Sequence, residues 1–296
     1  MKNLKVFLCA MFLVFSITGI AGAVPAYVYD GGFGTGIWSD VNKANVFGAP
    51  DSLMCWAATA SNSLAWTGWK GWDSGTSSYI STAAAIYSVF DAGWTNRTGN
   101  SIYAYEWWMT DHTTANSNFG EVLDSQGKNF YPGVVSDPHL AGSVDNFVQD
   151  VGAPAPNDIY TWLNTYINAH RAIVARIEVP AGDGTGSYAH SLSIWGWDTA
   201  NSRIYFTDPD DGGVGTLRDL AFHTASDHFY IDDYTNLYTT TRDVMITEIS
   251  RLNINVDGIE PNQPGGPGGK VPEPTTILLV GFGLIGLRGL RKKFKK

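Results

Sequence analysis

The sequence predicts an α+β domain, with helices in the first half of the folded region and strands in the second. Three observations carry that expectation. Residues 52–66 are a small-residue run behind a capping Asp51, and residues 78–90 place apolar side chains three and four apart, the spacing of one helix face. Residues 172–179, 191–197 and 203–207 are β-branched and aromatic runs, as strands require. Residues 198–202 are turn-rich and join the last two runs into a hairpin.

The elements follow in order. Asp51 is the expected N-cap of the first helix, whose alanines and serines allow tight packing while Leu64 and Trp66 supply bulk. The second helix spans residues 78–90, and a third spans 156–170 with Trp162, Leu163 and Ile167 facing inward. In the hairpin, a turn centred on Ala200 pairs residues equidistant from it. His190 then falls opposite Asp210 and two residues from the partner of Asp208, so imidazole and carboxylate meet at one end of the sheet.

Both ends of the chain are patterned for export. Lys2 and Lys5 precede an apolar run from Val6 to Ile20 and the small-residue ending Ala21-Gly-Ala23, so residues 1–23 read as a signal peptide cleaved after Ala23. Cleavage removes Cys9 and leaves Cys55 alone. Residues 24–258 form the folded domain, and 259–270 are a Pro/Gly-rich linker. Val271-Pro-Glu-Pro274, an apolar stretch over 275–287 and the basic tail 291–296 follow. These three parts resemble the PEP-CTERM sorting signal. The resemblance implies a bacterial envelope, transient membrane association through a transmembrane helix, and a sorting protease that removes the tail. The expected location is the cell envelope, cell surface or extracellular matrix; the competing reading is a permanent anchor, its basic tail cytoplasmic.

The net charge of −9 understates the acidity of the domain. Setting aside Lys2 and Lys5, Glu273 and the six basic residues from Arg288 onward leaves −16 on residues 24–271. Such a surface repels phosphates, which excludes a nucleic acid partner. A single thiol in an exported protein is unusual, because exported chains pair their cysteines or do without them.

Cys55 stands near the first turn of its helix, where the macrodipole favours a thiolate. The bland alternative is a small buried side chain among alanines. His190 at a strand and Asp208 in Tyr205-Phe-Thr-Asp-Pro-Asp210 tip the balance, because an imidazole needs a carboxylate to fix its tautomer. Their bland readings are a strand-end histidine and a turn. As a calcium loop the Asp208 segment is incomplete, since Gly212 stands where a third ligand belongs. His112, His139, His170, His223 and His228 lack this setting, and no His/Cys group has zinc-ligand spacing. Trp107 and Trp108 read as packing.

Asp51-Ser-Leu-Met-Cys-Trp-Ala-Ala-Thr-Ala-Ser-Asn62, His190-Ser-Leu-Ser-Ile-Trp-Gly196 and Tyr205-Phe-Thr-Asp-Pro-Asp210, with Asp40-Val-Asn-Lys43 upstream, resemble the IdeS/Mac family of secreted cysteine peptidases. The resemblance implies a papain-like fold: an N-terminal helical part carrying the cysteine helix, packed on a C-terminal antiparallel sheet carrying histidine and aspartate. It makes Cys55 the nucleophile, His190 the general base and acid, and Asp208 its orienting carboxylate. Lys43 matches the lysine that helps hold the oxyanion, and Asp210 becomes a supporting acid. Two departures stand out. The stretch from Ala44 to Met54 is longer than the family pattern, and Trp56 replaces a small residue. The expected function is endopeptidase hydrolysis of protein or peptide substrates, with no cofactor and no metal. Alternatives are a transpeptidase or amidase using the same acyl-enzyme, and a catalytically silent surface or matrix binding module.

Overall fold

Strand-forming patterns continue well past residue 207, and they decide the architecture. The computed structural model describes residues 26–27, 38–43, 51–94, 99–110, 127–132, 148–150, 156–168, 171–180, 186–211, 217–226, 228–236, 239–253 and 260–263. The first part contains β1 (Ala26–Tyr27), α1 (Cys55–Thr67), the hairpin of β2 (Gly71–Asp73) and β3 (Ser78–Ile80), α2 (Ala83–Gly93) and α3 (Ser101–Met109). Next come β4 (Val148–Asp150), α4 (Pro156–Asn168), β5 (Ala172–Pro180), β6 (Ser187–Asp198) and β7 (Arg203–Thr207). The chain then adds β8 (Arg218–Ala225), β9 (His228–Asn236) and β10 (Thr239–Leu252).

Six of these strands pair antiparallel in the order β6-β5-β10-β9-β8-β7, and β7 pairs back onto β6, closing a barrel. The short strands β1 and β4 add to β6 and β10. The chain is therefore mostly β, a closed six-strand antiparallel barrel with short helices. This corrects the expected α+β, papain-like arrangement of a helical part on a C-terminal sheet. The expectation failed at residues 218–252, where three strands carry so many polar outward residues that they resemble loops. Their inward layer is nonetheless apolar: Phe222 pairs with Ile231, and Ile231 with Val244, all buried. Because all six ladders are paired, the barrel leaves no open edge among its own strands.

Local elements differ from the expectation for identifiable reasons. The first helix begins at Cys55, because the Asp51 carbonyl accepts from Met54 N (2.9 Å) and its carboxylate accepts from Tyr87 Oη (3.0 Å) instead of capping. Residues 78–80 pair with β2 across a turn in which Asp73 accepts from Gly75 N and Thr76 Oγ1. The second helix consequently starts at Ala83, with Thr82 capping Ala85 N at 3.2 Å. Asn100 caps α3, which the sequence reading missed. The third expected helix is present as α4, with Leu163 and Ile167 buried and Trp162 half-buried; residues 169–170 lie outside the described residues. Trp107 and Trp108 are core, as read.

Two apolar clusters flank α1. One joins α1–α3 with the Trp- and Tyr-rich hairpin, and the other fills the barrel under α4. Small residues let α1 approach both: Ala57, Ala58 and Ala60 are fully buried. Its buried hydroxyls are satisfied locally, since Thr59, Ser61, Ser63 and Thr67 each donate to the carbonyl four residues back. Gly68 ends the helix at φ 82°, a left-handed conformation that favours glycine, and Trp69 N closes the cap onto Leu64 O. The signal peptide (1–23), most of the linker (259–270) and the sorting segment (271–296) lie outside the described residues. No helix among the described residues is long and apolar enough to cross a membrane, and the apolar stretch 275–287 is not among them.

Candidate active site

Three chain segments converge on the N-terminus of α1. Asn62, one buried face down the helix, accepts from Val41 N (3.0 Å) and donates to Ser193 Oγ (3.3 Å). That side chain ties the segment bearing Lys43 and the strand bearing His190 to the helix that opens with Cys55. On β6, a register shift between Ile194 and Gly196 brings Ser193 opposite Thr207, so the chain beyond β7 meets His190. The turn there is held by Asp211 N donating to Asp208 O (3.3 Å).

The structure brings together all five residues singled out by sequence. His190 Nε2 lies 2.8 Å from Asp208 Oδ1, and His190 Nδ1 lies 3.5 Å from Asp210 Oδ2. Cys55 and His190 line the same cleft and interact electrostatically, and Asp208 engages Nε2, which leaves Nδ1 as the other ring nitrogen. Lys43 Nζ is buried, 2.6 Å from Asp210 Oδ1 and 2.5 Å from Ser52 O. Its backbone N–H donates to Pro209 O at 3.3 Å. The lengthened stretch before Met54 has therefore not displaced Lys43 from the site. The carboxylates of Asp208 and Asp210 are engaged by these partners.

Burial and charge oppose each other in this cluster. Burial pushes the Cys55 thiol up, but the charge and hydrogen bond of His190 outweigh it and hold the thiol below its ordinary 9.0; Asp210 opposes and Lys43 assists. Burial pushes His190 down, yet Asp208 and Cys55 hold it well above 6.5. Burial pushes Asp208 up, while His190, the Tyr234 hydroxyl and the Asp210 backbone N–H hold it below 3.8. These are the shifts of a thiolate–imidazolium pair backed by an ionised carboxylate.

The pH dependence follows from these directions. The pair exists above the depressed Cys55 value and below the raised His190 value, so any reaction that needs thiolate and imidazolium together is expected to follow a bell, with its acid limb below pH 9.0 and its alkaline limb above pH 6.5. Stability contributed by raised His190 is complete below pH 6.5 and is lost as pH rises through its folded value. Stability contributed by depressed Asp208 is complete above pH 3.8 and is lost as pH falls through its folded value. Urea unfolding across pH checks both, and Asp208→Asn is expected to flatten the acid limb.

Beside the thiol lies a cleft of about 440 Å³, lined by Cys55, His190, Lys43, Leu53, Tyr188 and Gly99. Across Arg176 it adjoins a shallower depression of about 400 Å³ bounded by Glu178 and Glu248. Arg176 is half-exposed and stands 3.4 Å from Glu248, which also accepts from Asn100 Nδ2 at 2.6 Å. Gly99 lets the backbone pass close over Trp56, because a Cβ there would sit 2.4 Å from Trp56 Cε2. Gly99→Ala is expected to displace the buried indole next to Cys55 and to cost about 1–3 kcal/mol of stability, read by thermal unfolding.

Sequence reasoning missed Arg218, Tyr234 and Arg176. The first two donate to Asp208 from β8 and β9, strands it did not recognise. Arg176 lies on a recognised strand, but its outward direction there carries no signal by itself. Among the remaining histidines, His112, His139 and His170 lie outside the described residues. His223, on β8, bonds to Asp232 on β9, so it has the strand-and-carboxylate setting that the sequence reading denied it, and with Asp243 these place ligand atoms within 4.8 Å of one another. Exposed acidic groups gather in this way without an ion.

Residues 270–293 match the PEP-CTERM protein-sorting motif, which indicates export to the bacterial cell envelope or surface. No curated protein matches the chain. The likeness to the IdeS/Mac family therefore rests on its quoted motifs alone.

Proposed function

We propose that the protein is an exported cysteine endopeptidase. The single observation that carries the reading is the half-buried Cys55 beside the buried His190–Asp208 pair, with Cys55 and His190 both lining the cleft. The Cys55 thiolate attacks the scissile carbonyl carbon, and the carbonyl π pair moves to oxygen. That oxyanion forms beside the N-terminus of α1, where the helix macrodipole favours negative charge, and near the positive charge of Lys43. The proton on His190 Nδ1 passes to the departing amine as the C–N bond breaks, leaving a thioester on Cys55. Water then attacks the thioester, His190 takes its proton, and the carboxylic acid leaves with the thiolate–imidazolium pair restored. Asp208 keeps Nε2–H oriented throughout. The adjoining depressions on the outer faces of β5 and β6 support an extended peptide as substrate. The sorting protease that reads residues 270–293 is the expected partner, and its cleavage would free the domain from the membrane.

The test is product analysis. The protein is incubated with a mixed peptide library, with and without an added amine acceptor, and new termini are read by mass spectrometry. Free carboxyl termini that appear with wild type and vanish with Cys55→Ala are expected. Amine-capped termini in place of free carboxylates would replace hydrolase by transferase. Unchanged peptides alongside binding that survives Cys55→Ser would leave a binding module as the better reading.

A further inference from the structure

Asp208 is fully buried, and its partners are not only His190. Oδ1 accepts from His190 Nε2 (2.8 Å) and from Asp210 N (2.9 Å). Oδ2 accepts from Arg218 Nη1 (3.0 Å) and from Tyr234 Oη (2.7 Å). Four donors fill the acceptor sites of one carboxylate, so the group has a single orientation. Both extra donors are themselves held. The Arg218 guanidinium lies over the rings of Phe206 (5.2 Å) and Tyr234 (5.0 Å). The Tyr234 hydroxyl receives a hydrogen bond from Asn236 Nδ2 (3.2 Å), which directs its own single proton at Asp208. Asn236 also reaches Tyr188 Oη (3.3 Å), on the wall of the cleft.

Charge balance makes Arg218 more than a packing residue. The site groups three anions when active: the Cys55 thiolate, Asp208 and Asp210. Lys43 and the His190 imidazolium supply two cations, and Arg218, 13% exposed and bonded to Asp208, supplies the third. Without it a buried cluster carries an unbalanced negative charge, which works against a thiolate.

We propose that Arg218 and Tyr234 are positioning residues, which clamp the Asp208 carboxylate from behind so that Oδ1 stays aimed at His190 Nε2. This deepens the peptidase reading and rests on it. Closure of the barrel is what places them: Arg218 pairs with Phe206 across β7 and β8, and Tyr234 reaches over from β9.

The test is the rate of Cys55 alkylation by iodoacetamide against pH, with thermal unfolding measured in parallel, for wild type, His190→Ala, Arg218→Met, Arg218→Lys and Tyr234→Phe. Arg218→Met is expected to raise the thiolate midpoint by roughly one pH unit, slowing alkylation about tenfold on the acid side. Arg218→Lys should recover part of that shift, and Tyr234→Phe should give a smaller rise in the same direction. A lowered Tm with an unmoved midpoint would reduce both residues to structural packing and overturn the proposal. If Arg218→Met does not fold, Tyr234→Phe carries the test, since it removes one oxygen and no charge. A wild-type thiol of ordinary reactivity, indifferent to His190→Ala, would sink the peptidase reading itself. A reactive wild-type thiol with unshifted Arg218 and Tyr234 variants would overturn this inference alone.

Discussion

Replacing His190 with alanine is expected to lower peptide hydrolysis by about 10²–10⁴-fold while leaving the fold intact. Two losses add here. The imidazolium that holds Cys55 below its ordinary value is gone, so at neutral pH the thiol is mostly protonated. The proton donor to the leaving amine is gone with it. The fold is expected to survive because Asp208 keeps Arg218, Tyr234 and the Asp210 N–H as donors, so no buried carboxylate is orphaned. The check is kcat/KM on a cleaved peptide with circular dichroism in parallel. Loss of rate with a native spectrum is the expected result; an unchanged rate would remove His190 from the chemistry.

The second large effect is on stability. Lys43→Met is expected to cost about 3–5 kcal/mol, because Asp210 then stands buried without its cation. Lys43 and Asp210 side chains are 1% and 4% exposed and 2.6 Å apart, so solvent cannot take over. The residual contact of Asp210 with His190 Nδ1 at 3.5 Å places the cost toward the lower end. For a domain of this size Tm is expected to fall by roughly 6–20 °C. Lys43→Met with Asp210→Asn removes both charges and should recover much of the loss. The double variant also separates the two roles of Lys43. If it contributes to oxyanion stabilisation, the refolded double variant remains slower by about 10²–10³-fold in kcat. A double variant with full activity would make Lys43 a purely structural cation.

The candidate site was more legible than the fold, for a physical reason. Cys55, His190, Asp208 and Asp210 are linked by local rules: a helix start, a hairpin and its register. The hairpin forms, but its register beside the turn is one residue off the expected centre at Ala200. Only the irregularity between Ile194 and Gly196 restores the expected pairing of Ser193 with Thr207, beyond which His190 meets both carboxylates. Lys43 was legible only through resemblance, because nothing in Asp40-Val-Asn-Lys43 reveals that its ammonium is buried on Asp210. Arg218 and Tyr234 were not legible at all. Their meaning depends on β8 and β9 closing a barrel behind Asp208, a pairing between segments to which the sequence reading assigned no element. The same blindness produced the wrong architecture. Phe222, Ile231 and Val244 form a buried inner row across the three strands, flanked by many polar outward residues, and closure is a non-local property that no window of sequence displays.

The central claim is that Cys55 is a thiolate paired with His190, and titrating that thiol tests it most directly. Ultraviolet absorbance of the thiolate is followed in the purified protein as pH is raised, with Cys55→Ser as the blank. The structure predicts a thiolate that forms below pH 9.0 and a midpoint that moves upward in His190→Ala. A thiol that ionises near pH 9 in wild type, unmoved by loss of His190, would contradict the pair and the catalytic account built on it.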